Sequence, residues 1–164
     1  MLKKIFGVTL LLANISVSAF AAIPRDQMHI GGLKPGMTMQ QVAAIYGMPQ
    51  KVNSPSKAAG GMYYIAGGLI SGWIDNKTNA FVQYCLNEDK VGSERISSTG
   101  NICLGMTEAD VINRIGRPDK VITIGKEIFY HYYSIEKGSE WRAHDTLLLS
   151  FGNERITGIT INVF

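Results

Sequence analysis

The strongest constraint on this 164-residue chain is that part of it is written twice. Leu33 to Val52 reads LKPGMTMQQVAAIYGMPQKV, and Ile102 to Val121 reads ICLGMTEADVINRIGRPDKV. A shift of 69 positions aligns Gly36, Met37, Thr38, Val42, Gly47, Pro49, Lys51 and Val52 with Gly105, Met106, Thr107, Val111, Gly116, Pro118, Lys120 and Val121. Eight identities in twenty, where unrelated segments share about one, point to a duplication. A chain of this length holds one domain, or one that is internally doubled. The expected organisation is a lead-in at 22–32, a first repeat at 33–101 and a second at 102–164.

Each shared residue has a mechanical job. Thr38 and Thr107 suit a helix N-cap, with Gln41 and Asp110 three residues later, where a side chain reaches back to the cap. Val42 with Ile45, and Val111 with Ile112 and Ile115, supply apolar residues at helical spacing. Gly47 and Gly116 suit the left-handed residue that ends a helix, and Pro49 and Pro118 forbid continuation. This predicts one short helix per repeat. The shared glycines and prolines read as architecture, not as an active site.

After each helix the chain turns β-branched and aromatic. Strands are expected at Met62–Ile65, Leu69–Ile74, Phe81–Leu86 and Val91–Ser97, then at Ile128–Ile135, Thr146–Phe151 and Arg155–Val163, with turn residues between them. The fold class is therefore α+β. It consists of two tandem repeats, each a short capped helix, or helix pair, on an antiparallel three- or four-stranded sheet.

The first 21 residues stand apart. Lys3 and Lys4 precede an apolar run from Ile5 to Ala13, and Ala19-Phe20-Ala21 offers small residues at both positions a signal peptidase inspects, so cleavage is expected between Ala21 and Ala22. The run is too short to span a bilayer, and no later segment replaces it. No cysteine stands just after the run to accept a lipid, the first being Cys85. Removal of Lys3 and Lys4 leaves 14 basic against 13 acidic residues, a net charge of +1, and the remaining cations are scattered. Nucleic acid is therefore not an expected partner. With 46% hydrophobic and 18% charged residues the chain is no disordered tail. Export and an even count of two cysteines predict a Cys85–Cys103 disulfide, since two thiols alone cannot complete a zinc site.

Taken together, the G-M-T start, the valine four residues after the threonine, G-x-P, the aromatic strands Tyr63-Tyr64 and Tyr130-His131-Tyr132, and the closing hairpin Leu147 to Ile156 resemble the SmpA/OmlA, or BamE-like, family of envelope proteins. Two units in tandem are also similar to the beta-lactamase inhibitor protein family, whose fold doubles a comparable helix-plus-sheet repeat. The resemblance covers nearly all of residues 33–164. It implies a periplasmic or secreted module that binds another envelope or secreted protein. The chain departs from both families: it has two units and no lipid-accepting cysteine, unlike BamE-like lipoproteins, and lacks a disulfide inside each repeat, unlike inhibitor relatives.

Catalysis has little to stand on. His29, His131 and His144 accompany no H-E-x-x-H, G-x-S-x-G, phosphate-binding loop or zinc spacing, and His144-Asp145 lacks a marked nucleophile. The reading is of a non-enzymatic chain with no metal and no cofactor, leaving an envelope assembly module, an inhibitor that inserts a loop into a hydrolase, and an unrecognised enzyme as the three classes, in that order. Candidate contacts are Tyr130 and Tyr132 with Trp141 and Arg142 beside them, Tyr63 and Trp73 as the corresponding surface of the first repeat, and Asp75 in the turn Asp75-Asn76-Lys77. Alternation puts Phe129, His131 and Tyr133 on one side of their strand and Ile128, Tyr130 and Tyr132 on the other; the strand tyrosines equally suit a core. The number of copies in the assembly stays open.

Overall fold

The computed structural model describes residues 23–52, 60–135 and 145–163. In chain order these form β1 (Ile23–Pro24), α1 (Met39–Tyr46), β2 (Gln50–Lys51), β3 (Met62–Ile65), β4 (Ile70–Asp75) and β5 (Ala80–Leu86). They continue with α2 (Glu108–Ile115), β6 (Lys120–Ile124), β7 (Glu127–Ile135), β8 (Thr146–Gly152) and β9 (Arg155–Asn162). The fold is α+β, and the described residues hold two α-helices and a nine-stranded sheet.

Both helices begin and end where local chemistry dictates. The Gln41 N–H donates to the Thr38 hydroxyl at 3.4 Å, while the Thr38 N–H donates to the Gln41 carboxamide oxygen at 2.8 Å. Thr107 and Asp110 make the same exchange at 3.2 and 3.0 Å, so two orphan donors are satisfied at each helix start. Bonds from the Thr107 backbone and hydroxyl hold the Asp110 carboxyl below the usual range. Gly47 and Gly116 close the helices with φ of 79° and 87°. Eight residues are too few for a helix to persist alone in water, and each helix fully buries a single side chain, Val42 or Val111.

Further cover comes from the lead-in and from the first residue of each expected repeat. Met28, Ile30 and Leu33 are wholly buried, as is Ile102. Residues 27–33 are tied to 97–102: the Gly31 N–H donates to the Ser97 carbonyl at 2.8 Å, and the His29 carbonyl accepts from the Thr99 N–H at 3.1 Å and the Ser98 hydroxyl at 2.8 Å. Gly31 and Gly100 adopt φ of 57° and 67° against the helices, where an added Cβ would lie 2.4 Å from the Tyr46 hydroxyl and 2.1 Å from Ile115. Neither turn has room for a side chain.

At the centre of the sheet β5 runs antiparallel to β9, from Gln83 opposite Asn162 to Leu86 opposite Ile159. Outward from β5 lie β4, β3 and β2; outward from β9 lie β8 and β7. The far edge of β7 is shared by β6, antiparallel along Glu127–His131, and β1, parallel at Ser134 and Ile135. One row of register partners, Tyr63, Gly72, Tyr84, Ile161, Leu147 and Tyr132, faces the helices. The row beside it, Ile65, Ile70, Leu86, Ile159, Leu149 and Tyr130, does the same and completes the core. Arg25 pairs with the buried Asp145, fastening the start of the described chain beside β8.

Three expectations need correction. Val91–Ser97 is no strand: Gly92 is left-handed (φ 100°), Ser93–Arg95 is a single 3-10 turn, and Val91 is 99% exposed, with no sheet edge to receive it. Conversely, Lys120–Ile124 is a strand, turned back onto β7 through the left-handed Gly125. Cys85 and Cys103 are both free thiols. Cys85 lies mid-strand on the sheet face away from the helices, its sulfur accepting from the Thr160 hydroxyl at 3.4 Å. Cys103 stands in the turn leading into α2, with its sulfur 3.8 Å from the Asn101 carbonyl.

Two stability tests follow from this packing. Thr38→Ala and Thr107→Ala each remove a cap, and urea denaturation should show a loss of about 1 kcal/mol apiece. The Tyr132 hydroxyl donates to the Gly116 carbonyl at 3.1 Å, whereas the buried Tyr84 hydroxyl has no hydrogen-bond partner among the described residues. Tyr132→Phe should therefore cost about 1 kcal/mol, while Tyr84→Phe, which sheds an unpaired buried group, should match or exceed the parent in the same assay.

Candidate functional site

Strand alternation gives the sheet a second face, opposite the helices. Two rows of register partners occupy it: Met62, Trp73, Gln83, Asn162, Thr146 and Tyr133, and Tyr64, Ser71, Cys85, Thr160, Leu148, His131 and Lys120. Apart from the buried Ser71 and Thr146, these side chains are half-buried or exposed, with Tyr64 38% exposed. Aromatic and apolar groups collect at two ends of the face. Tyr64, Trp73 and Met62 lie on β3 and β4, and Phe129, His131, Tyr133, Ile122 and Leu148 lie on β6, β7 and β8. Between them the middle strands present Gln83, Cys85, Thr160 and Asn162.

The structure redistributes the residues singled out from sequence. Tyr130 and Tyr132 are 6% and 0% exposed, which corrects their placement on a contact surface. Their hydroxyls explain the burial: Tyr130 donates to the Glu108 carboxylate on α2, and Tyr132 to the backbone at the end of the same helix. Burial first, then Glu108, pushes the Tyr130 phenol up to about 12, so it stays protonated. Tyr63 and Trp73 do not form one surface. Trp73 lies on the outer face opposite Met62, whereas Tyr63 faces the core, edge-on to Phe81 at 6.0 Å. Trp141 and Arg142 lie outside the described residues, as does His144.

Asp75 ends β4, and its carboxylate organises the turn that follows. It accepts from the Thr78 hydroxyl at 2.9 Å and from the N–H groups of Thr78 and Lys77 at 3.1 and 3.3 Å. These bonds, the Thr78 hydroxyl foremost, hold its carboxyl below the usual range. Residues 76–79 are all exposed. Beside this turn is an open cavity of about 360 Å³ walled by Ala80, Phe81, Val82 and Val163, with Arg25 and Asp75 among its lining.

The outer face offers little reactive chemistry. Burial pushes the Cys85 thiol up, against the opposing effect of the Thr160 hydroxyl, so the thiolate nucleophile is disfavoured. His131 stacks loosely toward Tyr133, ring centres 6.3 Å apart, and its pKa is held down by burial and next by Lys120. Among the described residues no group of three or more His, Cys, Asp or Glu could hold a metal ion, and no helix is long and apolar enough to cross a membrane. No family model, curated protein or solved structure matches the chain. Phe129, Tyr133 and Leu148 were missed as surface residues because only the register with β8 and the contact with α2 decide which face of β7 is covered.

The histidines set an acid-side dependence. Burial, and then Lys34, also lowers the pKa of His29 from the ordinary 6.5. As pH falls through 6.5 the unfolded chain takes up these protons before the folded one does, so stability present at higher pH is lost down to the depressed folded values. Melting temperature should fall between about pH 7 and 5, and His131→Gln should make that fall shallower.

Proposed function

We propose that the chain is an exported, non-enzymatic protein-binding module of the bacterial cell envelope, similar to BamE-type assembly units, which holds a partner protein on its outer sheet face. The observation that carries the reading is the composition of that face: two aromatic and apolar clusters flank a polar middle on one continuous antiparallel sheet. Tyrosine and tryptophan combine large contact area with a polar group that tolerates water, and they recur where binding energy concentrates. A periplasmic or secreted location rests on the leader at 1–21 and its cleavage after Ala21.

The same proposal takes the molecule as a doubled unit, residues 33–101 followed by 102–164. Support comes from details that repeat at matching positions. Met37 sulfur accepts from the Lys34 N–H, as Met106 sulfur accepts from the Cys103 N–H, each at 3.4 Å. Gly36 and Met37 exchange backbone bonds with Phe81 at the start of β5, and Gly105 and Met106 do so with Ile156 at the start of β9. Counted from the middle of the sheet, β5, β4, β3 and β2 mirror β9, β8, β7 and β6.

A second reading, a hydrolase inhibitor related in form to the beta-lactamase inhibitor protein family, draws on the turn after Asp75. Its exposed residues are pre-organised by three bonds to one carboxylate, which lowers the ordering cost of inserting such a loop. One experiment separates the readings. A partner is captured from envelope extracts of the source cell and identified by mass, and its affinity for variants is measured by calorimetry. Trp73→Ala and Tyr133→Ala should each weaken binding by more than about 1 kcal/mol without lowering the melting temperature, while Asp75→Ala leaves affinity unchanged. The reverse pattern selects the inserted loop, and affinity indifferent to all three variants overturns both.

A further inference from the structure

The two lateral edges of the sheet are built differently. One ends in β2, two residues long and preceded at once by Pro49, which offers little for another strand to pair with. The other ends in β6, five residues with no proline and no irregularity in its register with β7. No backbone hydrogen bond joins the outer side of β6 to any described residue. Two of its side chains are among the exposed large hydrophobics, Val121 at 52% and Ile124 at 65%. Native sheets usually protect such an edge with an inward charge, a bulge or a covering segment. None of these is present among the described residues, and the one charge on the strand is Lys120 at its first position.

From this edge we propose that β6 is a pairing strand through which two copies of the chain associate, antiparallel about a two-fold axis at Ile122. The sequence Lys120-Val121-Ile122-Thr123-Ile124 is compatible with itself in that register. Ile122 meets Ile122, Val121 meets Thr123, and each Lys120 meets Ile124, so no like charges are opposed. One step further the ladder ends, because the Asp119 carboxylate accepts from the Tyr133 N–H at 2.8 Å and residues 125–126 form the turn into β7. Lys120, Ile122 and Ile124 share the outer face with Phe129 and His131, so pairing joins the β6–β8 clusters of two copies into one surface. The inference does not depend on the binding role of that face, because it rests on the edge alone.

Sedimentation velocity of the purified protein across a concentration series tests it, with circular dichroism to follow folding. A concentration-dependent monomer–dimer equilibrium is expected. Ile124→Lys sets a lysine against Lys120 twice per dimer and should weaken association at least about tenfold, an effect that added salt reduces. Adding Lys120→Glu to that variant places opposite charges in the same register and should restore the dimer. Ile124 is exposed, so at concentrations where the parent is monomeric the single variant should keep the parent's melting temperature. A monomer at every concentration overturns the proposal, including one that instead takes up an extended peptide along β6. A dimer indifferent to Ile124→Lys, or one that the double variant fails to restore, overturns it equally.

Discussion

The pairing of β5 with β9 is the contact on which the rest of the molecule depends. Each helix fully buries one side chain, so the core is completed by apolar rows that run from β3–β5 across to β7–β9. Joining the two meanders edge to edge makes the apolar rows continuous, so Tyr84 and Leu86 lie in line with Ile161 and Ile159 and beyond them with Leu147 and Leu149. The same pairing removes the two longest potential edges from solvent, where unpaired strands invite association. It also dictates that the opposite face is one surface, since every residue that alternates away from the helices does so on a single sheet.

What could be read from the sequence, and what could not, divides along the range of the interactions. Helix starts at Thr38 and Thr107 and stops at Gly47 and Gly116 were legible because a cap and a left-handed residue act within a turn. Most strands were legible from alternation and turn residues. The burial of Met28, Ile30 and Leu33 was not, because those residues are tied to 97–102 by contacts across some seventy positions. The sidedness of β7 was half legible: alternation separated Tyr130 and Tyr132 from Phe129, His131 and Tyr133, but only Glu108 on α2 and the register with β8 decide which set is covered. The cysteine pairing failed for a related reason. Two thiols in a chain expected to be exported satisfy the chemistry of a disulfide, yet Cys85 points from the sheet's outer face while Cys103 precedes α2.

Polar groups in this fold are spent on shape. Asp110 and Gln41 close helix starts, Asp75 closes a hairpin, and Asp145 receives Arg25. Even the perturbed phenols of Tyr130 and Tyr132 are explained by burial and neighbouring carboxylates that belong to the architecture. The features left over by this accounting are the half-exposed aromatics, the projecting turn and the bare edge of β6, and the proposed binding roles rest on these.

The fastening of β1 has a kinetic meaning. Ile23 pairs with Ser134, and Arg25 reaches Asp145, so the first described residues find their partners more than one hundred positions away. The middle of the sheet has the same character, since β5 must wait for β9. Non-local ladders of this kind raise contact order and slow folding, because loop closure must precede the contacts that reward it. A chain that emerges N-terminus first therefore cannot complete its central ladder or seat β1 until its last strands have arrived.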